Sequence, residues 1–276
     1  MRFSPQRLLR LAPLLAAIVI PALPSPAAAQ LMIAPTRVVL AGTERSTELI
    51  LVNKGDEQTA FRIDVENRRM RADGALETVT DTRPGELFAA DMIRFSPRRV
   101  VLDPGARQSL RVSVTVPVGL APGEYRSHLR LMSAPTSAGA ATPTASDAND
   151  GALSIQLIAV RSITIPVIVR VGALDASASV DSAALTNTAD NLMVIKLTRA
   201  GARSTYGDLR LTIAGEANPV YNVRGIAIYT PNTDRDVLLP LPADIKAKLV
   251  GRDVRIDYVS SDPKAPGLIA SRRVQL

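Results

Sequence analysis

The sequence predicts an all-β protein built as two β-sandwich units in tandem. Three observations carry that expectation. Short runs alternate apolar and polar residues with period two, as in Ala60–Glu66, where Phe61, Ile63 and Val65 interleave with Arg62, Asp64 and Glu66. Turn-forming Gly, Pro, Asn and Asp stand between the runs. No window of the first half keeps a helical period.

The first segment is set apart from that pattern. Arg2, Arg7 and Arg10 precede the 13-residue apolar run Leu11–Leu23, and Ala27-Ala28-Ala29 precedes Gln30. This is the three-part layout of a secretory signal peptide, expected to span residues 1–29. The run is shorter than the roughly 20 apolar residues that a membrane helix needs. No later stretch of the chain reaches that length, so no membrane span is expected after cleavage.

The 276 residues carry 33 Lys+Arg against 26 Asp+Glu, a net charge of +7. Cleavage after Ala29 removes three arginines and no acid, which leaves 247 residues at +4. That charge is too mild to point to nucleic acid. With no cysteine, disulfides and thiolate metal sites are excluded, and a single histidine excludes a multi-histidine site. An apolar fraction of 46% argues against a disordered chain.

In order, the first unit holds Leu31–Leu40, closed by Ala41-Gly42, then Glu48–Asn53, Ala60–Glu66, Arg98–Leu102, Ser109–Val116 and Glu124–Met132. Asp103-Pro104-Gly105 suits a type II turn. Residues 135–152 are rich in Ala, Ser, Thr and Pro without a large apolar side chain, the composition of a flexible loop. Leu153–Val171 is the strongest strand, about twice the usual length. Pro166 within it marks an edge, a bulge or a change of sheet. The first unit is thus expected over 30–171 and the second over 172–276. Candidate strands of the second are Leu192–Thr198, Asp208–Ile213, Tyr221–Tyr229, Val237–Pro240, Val254–Ser260 and Leu268–Val274, with one helical turn at Asp244–Leu249.

Several segments of 31–171 together resemble the periplasmic pilus chaperones of the chaperone–usher pathway (PapD-like), as a divergent member. They are Ala34-Pro35-Thr36-Arg37-Val38-Val39-Leu40, Arg99–Arg111, Glu124-Tyr125-Arg126-Ser127, and the loop followed by Leu153–Val171 with its exit Ile165–Arg170. The likeness implies two Ig-like β-sandwich domains, a periplasmic location and no enzymatic activity or cofactor. It also implies pilus or fimbrial subunits and an outer-membrane usher as partners. A subunit that lacks a strand would be completed by a strand lent from the chaperone. Leu153, Ile155, Leu157 and Ala159 share one face of that strand and are the candidate groove-filling residues.

The resemblance further implies a basic pair that holds the subunit's terminal carboxylate, a task suited to guanidinium. Arg37 matches the first member by its Thr-Arg context. Matching the exit segment puts Pro166 where the family has Lys, whereas matching Leu153–Leu157 brings the site near Arg161 or Ser162. Arg161 is the only basic residue between Leu153 and Val169, and so is the second candidate. The family's long-loop branch carries a disulfide that this chain cannot form. Self-capping of the free edge by dimerisation is left open.

The alternative is a secreted or surface Ig-like binding or adhesion protein, which needs neither a lent strand nor a cleft arginine pair. Enzyme and metal readings find little support. His128 and Ser127 are strand neighbours on opposite faces and cannot act as base and nucleophile. Asp64 and Glu66 read as solvated, and Asp147–Asp150 lacks calcium-loop spacing.

Overall fold

The computed structural model describes residues 31–134, 160–186 and 191–276. The expected leader, the 135–152 loop and the groove-filling candidates Leu153, Ile155, Leu157 and Ala159 lie outside the described residues. Among those described, no helix is long and apolar enough to cross a membrane.

The first sandwich uses β1 (Leu31–Ala34), β2 (Val38–Ala41), β3 (Ser46–Asn53), β4 (Thr59–Glu66), β5 (Arg68–Met70), β6 (Leu76–Thr78), β7 (Ile93–Ser96), β8 (Arg99–Leu102), β9 (Arg107–Val114), β10 (Gly123–Ala134) and β11 (Ser162–Val171). One sheet runs β1-β3-β9-β7 and the facing one β2-β11-β10-β4-β8. The alternation read in the sequence becomes the core. Leu49 and Leu51 of β3, Leu110 and Val112 of β9, and Leu129 of β10 are fully buried. Each such side chain stabilises the fold by about 1.5–3 kcal/mol through burial. At Asp103–Ala106 the amide of Ala106 donates to the Asp103 carbonyl at 3.0 Å, and Gly105 has φ 73°. This is the left-handed position that a type II turn assigns to glycine.

The second sandwich follows with β12 (Ala176–Leu185), β13 (Leu192–Gly201), β14 (Thr205–Ile213), β15 (Tyr221–Ile228), β16 (Asp234–Pro240), helix α1 (Ala243–Leu249), β17 (Asp253–Ser260) and β18 (Leu268–Gln275). Its sheets run β12-β13-β16 and β15-β14-β17-β18 around a separate core that includes Met193, Ile195, Leu211 and Ile256.

Three features depart from the sequence reading: the short strands β5, β6 and β7 were not expected, the first run is divided, and β12 is additional. The run Leu31–Leu40 is two strands: β1 pairs antiparallel with β3, whereas β2 pairs parallel with β11 in the other sheet. Pro35 lies at the crossing, where a residue without an amide proton removes no ladder hydrogen bond. Strand β12 was not expected, because ASASVDSAAL is Ala- and Ser-rich and low in β-propensity. Its pairing along almost all of β13 overrides that local preference.

The two sandwiches meet through a small apolar cluster of Met70, Ile168, Ala227 and Tyr229, with Val39, Leu76 and Tyr206 packed against it. The β5–β6 hairpin reaches across as well. The Met70 carbonyl accepts from Asn232 Nδ2 at 3.0 Å, and the Ala72 carbonyl accepts from the Asp236 amide at 2.8 Å.

Candidate functional site

Strand β11 decides the geometry of the site, because its two halves have different neighbours. Along one side it pairs with β10 from Ser162 to Val171. Along the other side β2 covers only Val167–Arg170, in parallel register with Val38–Ala41. Among the described residues, Ser162–Pro166 therefore form an open edge. The direction of its hydrogen-bonding groups follows from the ladder. The Ser133 amide donates to the Arg161 carbonyl at 2.8 Å, so Arg161 faces β10. Main-chain groups alternate sides along an antiparallel pair, so Ser162 and Thr164 turn theirs to the open side. Pro166 falls in the same set, and the donor it lacks is one that β10 does not need. Of the three placements open to Pro166, the structure has the edge.

Side chains sort by the same parity. Ile165, Val167 and Val169 enter the first core. On the opposite face of β10, Glu124, Arg126 and His128 point toward the second sandwich, beside Arg170, Ile168 and Pro166 of β11. A row of polar residues on one face of a strand is buried there because the second sandwich covers it.

Arg37 lies one residue before β2, so the register continued one step places it beside Pro166. Its Nη1 donates to Tyr229 Oη at 3.3 Å. Its guanidinium carbon lies 4.4 Å from the Tyr206 ring centre and 5.3 Å from that of Tyr229. Two tyrosines of the second sandwich thus hold an arginine of the first by cation–π contact and one hydrogen bond. No carboxylate of the described residues lies within ion-pair distance of Arg37. It lines a cleft between the sandwiches of about 1090 Å³, together with Pro35, Thr36, Ser204 and Tyr206.

Arg126 sits behind this point. It is 4% exposed, and its guanidinium carbon lies 4.2 Å from the Tyr229 ring centre. Its Nη1 stands 3.5 Å from His128 Nε2, while its own Nε has no partner among the described residues. Burial, opposed by Tyr229 and Glu124, lowers the pKa of Arg126, and the positive charge of Arg37 adds to the lowering. Burial, reinforced by Arg126, Arg68 and Arg37, pushes His128 down to about 2. The imidazole is therefore neutral at ordinary pH, and its Nε2 can accept from Arg126.

A second polar cluster is neutralised throughout. The buried Glu124 carboxylate accepts from Arg170 Nε at 3.0 Å, from the Ser204 amide at 3.1 Å and from the Ser204 hydroxyl. Arg170 also faces Asp262 at 4.0 Å.

The structure does not bring Arg161 to Arg37. Arg161 is exposed at the start of β11, its amide donating to Ser133 Oγ. It lies five residues from Pro166, about 17 Å along the strand. The basic group that does approach Arg37 comes from the neighbouring strand β10, as Arg126. Spacing along β11 alone does not reveal it. The signal present in the sequence is polar or ionisable side chains on alternate residues, Glu124, Arg126, His128 and Arg130, interleaved with Tyr125, Ser127, Leu129 and Leu131. Glu66 is likewise not a free solvated acid: it pairs with Arg68 and lies 3.3 Å from Arg130.

No family model and no curated protein sequence matches the chain. Solved structures similar to it are pilus chaperones. One is a chain of the CsuC–CsuE chaperone–tip adhesion subunit pre-assembly complex of Acinetobacter baumannii. It has 13% identity and a TM-score of 0.47, covering 87% of this chain and 97% of that one. The Pseudomonas aeruginosa CupB2 chaperone has 12% identity and a TM-score of 0.45, covering 89% and 100%. The E. coli chaperone DraB has 17% identity and a TM-score of 0.43, covering 90% and 97%.

Proposed function

We propose that the chain is a periplasmic chaperone of the chaperone–usher type, exported by residues 1–29, which stabilises pilus or fimbrial subunits before delivery to an outer-membrane usher. One observation carries the reading: a strand with an open edge ends beside an arginine that has no carboxylate partner, in a cleft between two sandwiches. An incomplete sandwich exposes both a strand edge and an apolar groove, and is prone to aggregate. An edge strand lent in trans satisfies the first with main-chain hydrogen bonds and the second with alternate side chains. The Ser162–Pro166 edge supplies the hydrogen bonds nearest the cleft. The groove-filling side chains are Leu153, Ile155, Leu157 and Ala159, upstream of that edge.

Arg37 fixes register. A terminal carboxylate on the guanidinium gains a charge-assisted, directional bond. Stacking on Tyr206 and Tyr229 holds the side chain in place before the partner arrives. That lowers the ordering entropy lost on binding. Chemistry at this site is binding alone, with no cofactor and no covalent step.

The test is co-expression with a subunit that lacks its final strand, followed by recovery from the periplasm. Arg37→Ala and Ile155→Asp each abolish or sharply reduce subunit recovery on this reading, while Arg161→Ala leaves it unchanged. Equal recovery with wild type, Arg37→Ala and Ile155→Asp contradicts it.

A further inference from the structure

The cleft carries more positive charge than one terminal carboxylate needs. Its lining holds six cationic side chains and only three carboxylates, Glu44, Asp208 and Asp262. Each of the three is already engaged. Glu44 pairs with Lys264. Asp208 accepts from Ser261 Oγ at 2.7 Å and from the Gly225 amide at 3.1 Å. Asp262 faces Arg170, and accepts from the Lys264 amide at 2.9 Å. Arg170 is itself committed to the buried Glu124.

Arg37, Arg203, Arg210 and Arg224 are left over. Among the described residues, the guanidinium groups of Arg203, Arg210 and Arg224 make no hydrogen bond and no ion pair. All three belong to the second sandwich and line the same cleft as Arg37. Arg210 of β14 is in register with Asn222 of β15, and Arg224 follows two residues later, so two of them share one sheet region. Scattered surface arginines are usually solvated and mean little. Here four cations without an ion pair, set against one such carboxylate, Asp208, are gathered in a concavity, where low-dielectric walls focus the field on whatever enters.

We propose that the segment entering this cleft is acidic: a partner chain ending in a free carboxylate at Arg37, with Asp or Glu side chains just before its end that meet Arg203, Arg210 and Arg224. The inference rests on the carboxylate-anchoring reading of Arg37 and adds a rule for partner choice. Subunits with acidic C-terminal segments are preferred, and those with basic ones are disfavoured by like-charge contact.

Four fluorescent peptides separate the two claims by anisotropy against the full mature chain. All share an alternating Val/Thr sequence. Two carry Asp and two carry Asn at the two penultimate side-chain positions, and each pair has one member with a free C-terminus and one amidated. At low salt the free-terminus Asp peptide binds about tenfold more tightly than its Asn counterpart, and the ratio shrinks as salt screens the exposed charges. The double variant Arg210→Gln/Arg224→Gln weakens the Asp peptide more than the Asn peptide, so the ratio falls toward one. Equal affinity of the free-terminus Asp and Asn peptides for wild type overturns the acidic-partner inference while leaving the anchor intact. Binding indifferent to amidation overturns the anchor reading at Arg37. Failure of all four peptides to bind counts against both.

Discussion

Two polar clusters lie side by side where the sandwiches meet, and they treat charge in opposite ways. Around Glu124, every oxygen has a donor: Arg170 on one side and both groups of Ser204 on the other. Around Arg37, positive charge is stacked on Tyr206 and Tyr229 and left without a carboxylate among the described residues. A satisfied buried pair joins two structural units but offers nothing to a ligand. A cation held in place by aromatic faces keeps its capacity for an anion. The first cluster is a joint, and the second is a receptor.

That contrast can be broken experimentally. The largest expected effect is Glu124→Ala, which strands Arg170 and the Ser204 amide. It should destabilise the protein by about 3–5 kcal/mol, the usual result of removing one partner of a buried ion pair, in urea unfolding. A loss below about 1 kcal/mol would mean that Glu124 is not part of a joint.

Next comes the pH dependence that the buried cluster imposes through His128. In the folded chain its pKa is depressed to about 2, against an ordinary histidine value of 6.5. As pH falls through 6.5 the unfolded chain takes up a proton that the folded chain refuses. Stability from this residue is therefore complete above that pH and is lost progressively below it. At pH 5 the difference from pH 7 reaches about 2 kcal/mol. His128→Phe removes this component, so wild type and variant should diverge in slope between pH 7 and 5. Parallel stability curves would contradict the burial described for His128.

The smallest effect on stability belongs to Arg37→Ala. Its loss forfeits cation–π contacts and one hydrogen bond in a partly open cleft, about 1 kcal/mol. The same change should abolish partner binding. A residue whose removal matters to the partner far more than to the fold is what separates receptor from joint.

The fold was largely legible in the sequence, for a physical reason. Alternation such as Phe61/Ile63/Val65 and Leu110/Val112 reports directly which face of a strand is buried. The turn at Asp103–Ala106 needs glycine at positive φ and has it. Strand β12 was illegible because its alanines and serines carry little strand preference of their own and gain it only by pairing with β13. The split of Leu31–Leu40 was illegible because both halves are equally apolar, and only the partners β3 and β11 distinguish them.

The site was legible only in part. Arg37 could be singled out through its Thr-Arg context, but Tyr206 and Tyr229, which hold it, are about 170 and 190 residues away in sequence. Arg161 is the only basic residue between Leu153 and Val169. Pairing across strands put Arg126 there instead. Spacing within one strand cannot report the strand alongside it.

The most direct test of the account is amide hydrogen exchange at Ser162 and Thr164, measured on the free chain and on its complex with a subunit lacking a final strand. These amides face the open edge, whereas those of Ile163 and Ile165 face β10. The account predicts fast exchange at Ser162 and Thr164 in the free chain and strong protection in the complex, with Ile163 and Ile165 protected in both. Continued fast exchange at Ser162 and Thr164 in a saturated complex would contradict it.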